Sequence, residues 1–232
     1  MKGIILAGGK GTRLGDSTKV TNKHLLAVYD KPMIYYPLET LVQGGVREIL
    51  IVSGGNHIGA FADLLQDGNQ FGVELSYRVQ REAGGIAQAL GIARSFVGND
   101  SMAVILGDNY FADTPRLADF TEGARVFLKE VEDPQRFGVA QFDGDTIVAI
   151  QEKPSVPSSN WAVTGLYCYD VTVFDLIAGL KPSARGELEI TDVNNAYLRR
   201  GKLDYVKLTE VWTDMGTPDS LLHASQLIRS RR

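Results

Sequence analysis

Short strand-like segments at positions 3–7, 49–52, 75–79 and 102–106 recur along the first half of the chain, with helical periodicity at 33–43, 58–65 and 86–96 between them. That alternation restricts the fold sharply, because strand–helix–strand units pair their strands in parallel and lay helices on both faces of one sheet. The expected fold is α/β, a Rossmann-like doubly wound mixed sheet that is mostly parallel. Beyond about residue 113 the rhythm loosens into strand patterns at 138–142, 146–151 and 161–169. Asp143-Gly144-Asp145 reads as a hairpin turn, so this half is expected to be mixed or antiparallel. A last strand near 203–208 precedes a helix whose first turn holds Pro218 and which runs toward Arg229. At 232 residues, without an internal repeat or low-complexity linker, the chain suits one domain over 1–232 rather than two independent ones.

In open parallel sheets ligands bind beyond the carboxyl ends of the strands, which here brings Gly8 onward, Gln80 and Gly107-Asp108 to one edge. The segment Leu6-Ala7-Gly8-Gly9-Lys10-Gly11-Thr12-Arg13-Leu14 follows the first strand directly. Its glycines free backbone N–H groups for phosphate oxygens, and Arg13 adds a planar cationic fork; a tight turn is the plainer reading of such glycines. A Walker A loop would need glycine at Ile4, and a dinucleotide fingerprint would need it at Leu14, so ATPase and dehydrogenase readings lose ground. Lys23 can return to the same phosphates if the intervening loop folds back, or it lies on the surface.

Asp108 ends the segment Val104-Ile105-Leu106-Gly107-Asp108-Asn109, and a carboxylate there is either a metal ligand or a turn cap. A second acid, Asp214, lies in Trp212-Thr213-Asp214-Met215-Gly216-Thr217, and two carboxylates can hold a Mg2+ that keeps positions for water and phosphate. His24, His57 and His223 share no metal-ligand spacing.

The formal charge of −4 argues against a nucleic-acid partner. Yet residues 2–31 carry Lys2, Lys10, Arg13, Lys19, Lys23 and Lys31 against Asp16 and Asp30, a cationic segment suited to a phosphorylated ligand or a solvated basic face. The single cysteine, Cys168, sits in an apolar run and reads as a buried thiol in a reducing compartment. No run of about 18 apolar residues exists, so a soluble, cytoplasmic protein without a membrane partner is expected.

Together these segments resemble the sugar 1-phosphate nucleotidyltransferase family over nearly the whole chain. The resemblance rests on the glycine-rich segment, on Val28-Tyr-Asp-Lys-Pro-Met-Ile-Tyr-Tyr-Pro-Leu38, Gly85-Ile-Ala-Gln-Ala89, Gly107-Asp-Asn109 and Glu152-Lys-Pro154. It also rests on Ala162-Val-Thr-Gly-Leu-Tyr167, Gly186-Glu-Leu-Glu-Ile-Thr-Asp192 and Trp212-Thr-Asp-Met-Gly-Thr217. It implies a nucleotide-binding half over about 1–112 and a smaller sugar-binding lobe over about 113–232. The substrates it implies are dTTP or UTP and a sugar 1-phosphate, glucose 1-phosphate first, and the enzyme is expected to be a homo-oligomer.

By that resemblance Gly8, Gly9, Gly11, Thr12 and Arg13 hold the triphosphate, Lys23 contacts phosphate, and Gln80 with Gly85 reads the pyrimidine edge. Asp108 and Asp214 bind Mg2+, and Asn109 is a further substrate-binding candidate. Gly138, Glu152, Lys153 and Val163 hold the sugar phosphate. The catalytic set is Arg13, Lys23, Asp108 and Lys153.

Three residues depart from the family's usual ones: His24 for glutamine, Ala27 for proline, and Phe137 for a tyrosine that would offer a hydroxyl near the sugar. The sequence stops soon after Arg229, where longer relatives continue into helices of a regulatory site, so weak or absent feedback control is expected. A non-catalytic sugar-nucleotide sensor is the rival reading, against which the retention of Arg13, Asp108 and Asp214 speaks. A Rossmann-type oxidoreductase is a distant third.

Overall fold

The computed structural model describes residues 1–9 and 11–231; Lys10 of the glycine-rich segment lies outside the described residues. The chain runs β1 (Lys2–Ala7), β2 (Ala27–Val28), β3 (Lys31–Pro32), α1 (Tyr35–Gln43), β4 (Glu48–Gly54), α2 (Ile58–Leu65), β5 (Glu74–Gln80), α3 (Ile86–Gly91), α4 (Arg94–Val97), β6 (Met102–Leu106) and β7 (Asn109–Phe111). It continues through β8 (Ala124–Glu130), β9 (Gly138–Asp143), β10 (Thr146–Glu152), β11 (Trp161–Tyr169), α5 (Val173–Ala178), α6 (Ile190–Arg199), β12 (Leu203–Lys207), β13 (Trp212–Asp214) and α7 (Pro218–Ser230).

The main sheet is ordered β10-β9-β11-β6-β1-β4-β5, with β8 also paired to β11 and β12 to β8. The strands β6, β1, β4 and β5 are mutually parallel, as the alternation of segments predicts. Side chains of β1 alternate between two cores. Ile4 and Leu6 face α3, α5 and α6, whereas Ile5 and Ala7 face α1 and α2. Burial on both faces is why the central strands read as continuous apolar runs.

The second half of the chain joins the same sheet in antiparallel fashion through β11. Its first residues pair with β9, and its last four pair with β6. The hairpin turn at Asp143-Gly144-Asp145 connects β9 to β10. One predicted helix differs: residues 86–96 split into α3 and α4. After Gly91 the backbone bonds Ile92 N to Ala89 O and Ala93 N to Leu90 O tighten the turn, and glycine is a weak point for α-helix continuation.

Outside the main sheet, β2 and β3 form a small hairpin against which α7 packs, burying Val28, Met33, Tyr36, Met215, Ala224 and Ile228. A Thr217–Ser220 capping box starts α7. None of the described helices is long and apolar enough to cross a membrane.

Candidate active site

The strand ends of β1, β5 and β6 open onto one cleft, and its walls are Gly8, Gly9, Thr12, Lys23, His24, Gln80, Gly85 and Asp108 with apolar neighbours. The cleft holds about 480 Å³, within the range of small-ligand sites. Gly8 lets Gln80 approach closely, since a β-carbon there would displace the Gln80 carbonyl oxygen. The Gln80 amide nitrogen donates to Gln88 Oε1 at 2.7 Å. Its carbonyl oxygen is left beside Gly8 as an acceptor on the wall.

His24 is fully enclosed and its pKa falls to about 3, first because burial disfavours the cation and then because Lys23 adjoins it. Its Nδ1 lies 2.6 Å from Asn22 Oδ1. Asn22 is fixed by its own Nδ2 donating to Ala7 O and its Oδ1 accepting from the His24 backbone. The network therefore places the ring proton on Nδ1 and leaves Nε2 an acceptor.

A second cavity adjoins the first and shares Ile86, Leu106, Asp108 and Glu187 with it. Its wall includes Arg13, Asn109, Gly138, Glu152, Lys153, Val163 and Asp214. Asp108, which both cavities share, meets Asp214 on the wall of the second. The short strands β7 and β13 set Asp214 opposite Asn109, and Met215 N donates to Asp108 O at 2.8 Å. A β-carbon on Gly216 would sit 2.8 Å from Arg13 Nη2, 3.0 Å from Asp214 Oδ2 and 3.4 Å from Asp108 Oδ2. Glycine at 216 thus leaves a small space ringed by one guanidinium and two carboxylates.

Each carboxylate has a resident cation. Lys23 bonds Asp108, and although burial pushes the Asp108 carboxyl up, Lys23 and His24 hold it well below the usual range. Asp214 takes 2.8 and 3.1 Å bonds from one Arg136 nitrogen. Burial raises its pKa first, and Arg136 only partly offsets that.

Asn109 braces this centre: its Oδ1 accepts from Trp212 Nε1 at 2.6 Å and from Gly165 N at 3.0 Å, while its Nδ2 donates to Asp108 at 3.0 Å. Glu152 accepts from Thr191 at 2.6 Å and from Arg185 at 3.2 Å. Lys153 follows it with φ of 43°, a left-handed conformation uncommon for lysine, held by its N–H donating to Phe137 O.

Of the residues singled out from sequence, the structure gathers all but one on these two walls. Gly11 stands apart: with φ of 67° it shapes the turn behind the loop, under Thr18 and Lys23. Sequence reasoning passed over Arg136, Arg185 and Thr191. Arg136 adjoins Phe137-Gly138 and Arg185 precedes the Gly186–Asp192 segment, so proximity to those motifs was the available signal. Phe137 stacks edge-on to Trp212 at 5.1 Å and lies under Arg136 at 5.0 Å, so its ring packs where a tyrosine would add a hydroxyl.

Residues 2–231 match the family model described as nucleotidyl transferase. Among curated relatives, the glucose-1-phosphate thymidylyltransferase of Mycolicibacterium smegmatis is 48% identical, over 99% of this chain and 83% of its own length. That of Xanthomonas campestris is 51% identical over 99% and 81%. A crystal structure from Bacillus anthracis, of a protein provisionally assigned as glucose-1-phosphate thymidylyltransferase and bound to sucrose, superposes with a TM-score of 0.94 at 54% identity, over 99% of this chain and 95% of that one. A UDP-glucose pyrophosphorylase at 24% identity and TM-score 0.86 shares the fold. With a glycine-rich cleft, a joined second cavity and two carboxylates facing one space, and with relatives of one name matched over 99% of the chain, the chain belongs to the nucleotidyl transferase family of enzymes.

Proposed function

We propose that this enzyme joins glucose 1-phosphate to dTTP, giving dTDP-glucose and pyrophosphate. The observation that carries the reading is the convergence of Arg13, Asp108 and Asp214 around Gly216, in the second cavity and joined to the first through Asp108. The names of the 48% and 51% identical relatives support the choice of substrates.

The triphosphate lies along Gly8, Gly9 and Thr12 with Arg13 and Lys23 as its cations. Gln80 supplies a carbonyl acceptor for the N3–H that thymine and uracil both carry and cytosine lacks. The sugar phosphate occupies the second cavity, with Lys153 on its phosphate and Glu152 accepting from ring hydroxyls. A sugar-phosphate oxygen forms a new bond to the α-phosphorus as the bond to the bridging oxygen of the leaving pyrophosphate breaks. The nucleophile is already ionised, so positioning and charge neutralisation carry the reaction and no general base is needed.

Two buried carboxylates around a space kept open by glycine are a donor set that fits Mg2+. Asp108 and Asp214 would hold the ion, which when bound neutralises phosphate oxygens. The reading includes a cytoplasmic location, which suits a dTTP substrate and a single cysteine, Cys168, that is buried and free. It also includes self-assembly, which light scattering reads directly.

The test is pyrophosphate release over a grid of triphosphates and sugar 1-phosphates with Mg2+. Turnover led by dTTP with glucose 1-phosphate is expected; turnover led by UTP moves the nucleotide assignment, and none with any pair favours a sensor.

A further inference from the structure

We propose that Arg136 is an internal counter-ion that competes with metal for Asp214, so that the free enzyme resists a bare divalent cation and takes it up together with the triphosphate. This rests on the transfer reaction proposed above.

One Arg136 nitrogen spans both oxygens of Asp214, at 2.8 and 3.1 Å. The Asp214 side chain is only 12% exposed, so little water competes with that bond. A cation seeking Asp214 must therefore displace the guanidinium. Lys23 occupies Asp108 in the same way, and two acids that face one small space are each neutralised without metal. Like charges that close would otherwise oppose one another.

Arg136 also has somewhere to go. Its other terminal nitrogen bonds Asp133 Oδ2 at 2.8 Å, and its guanidinium carbon lies 5.0 Å from the centre of the Phe137 ring. Asp133 is 46% exposed, so a guanidinium released from Asp214 keeps one ion pair and one aromatic face in water. The residue is built to let go at low cost. Lys23 and Arg13 would meet the triphosphate as its charge arrives, which frees Asp108 at the same moment. Arg136 is thus a positioning residue acting through Asp214.

The test titrates the free protein, without nucleotide, with Mn2+ followed by electron paramagnetic resonance. Arg136→Gln is expected to bind Mn2+ at least about tenfold more tightly than the unaltered protein, because the buried carboxylate loses its partner. Arg136→Lys, which keeps the charge, should stay closer to the unaltered affinity, and adding Asp214→Asn to Arg136→Gln should erase the gain. Asp133→Asn removes the exposed berth, leaves buried structure untouched, and should weaken Mn2+ by about two- to fivefold. Equal affinities in Arg136→Gln and the unaltered protein, or a gain that survives Asp214→Asn, overturn the proposal. Should Arg136→Gln fail to fold, unchanged affinity in Asp133→Asn overturns it alone. Absence of pyrophosphate release by the unaltered enzyme would count against the transfer reaction, and the Mn2+ comparison would still decide the role of Arg136.

Discussion

Two side chains at the centre of the site act through hydrogen bonds whose loss can be measured one residue at a time. Asn109 satisfies the buried indole N–H of Trp212 and the backbone N–H of Gly165 with a single oxygen. Asn109→Ala leaves both donors unpaired, and unfolding in urea should show a loss of about 2–5 kcal/mol. A loss under 1 kcal/mol would mean that the brace contributes little. His24 makes a pH prediction. Its folded pKa of about 3 lies below the ordinary 6.5, so the unfolded chain takes up a proton that the folded one refuses, and stability falls as pH drops through that window. Between pH 7.5 and 5 the unaltered protein should lose roughly 2 kcal/mol more than His24→Gln. Equal losses in the two proteins would show that His24 is not a buried neutral base.

At the scale of elements, the site depends on short strands that sequence patterns hardly announce. The pairing of β7 with β13 brings Asp108 beside Asp214, 106 positions later in the sequence, and three-residue strands carry too little periodicity to be read. The long apolar runs within β1, β4 and β6 were legible because their central residues are buried on both faces, and β11 was legible to its end residues. The meeting of the two carboxylates was implied by the family resemblance and not by the strand patterns, since it depends on register rather than residue type. Gly216→Ala tests that meeting: its methyl group would fill the space between Arg13 and the carboxylates. Turnover should fall roughly 10²-fold while the melting temperature holds, whereas unchanged turnover would show that the space is not where reacting groups lie.

For the whole molecule, one sheet serves two cavities that, among the described residues, share Ile86, Leu106, Asp108 and Glu187. Gly8, Gly9, Thr12 and Gln80 belong to one, Arg13, Glu152 and Lys153 to the other. Sequence could name most members of both sets, because the motifs sit at strand ends and the resemblance assigned their roles. It did not reveal the cations at rest on the carboxylates, since Arg136 lies in a turn with no motif of its own. The division predicts separable defects. Lys153→Ala should raise the KM for sugar 1-phosphate by roughly 10- to 100-fold and leave the KM for dTTP near its original value; parallel increases in both would argue against two compartments.

The most direct measurement compares pyrophosphate release from dTTP and glucose 1-phosphate by the unaltered enzyme and by Arg13→Ala. An arginine that stabilises charge in a phosphoryl-transfer transition state is worth roughly 10³- to 10⁵-fold in rate. The expected result is robust turnover by the first protein and a loss of that order in the second, with the fold intact. Near-normal activity in Arg13→Ala would contradict the central claim that the loop beside Asp108 and Asp214 holds the reacting triphosphate.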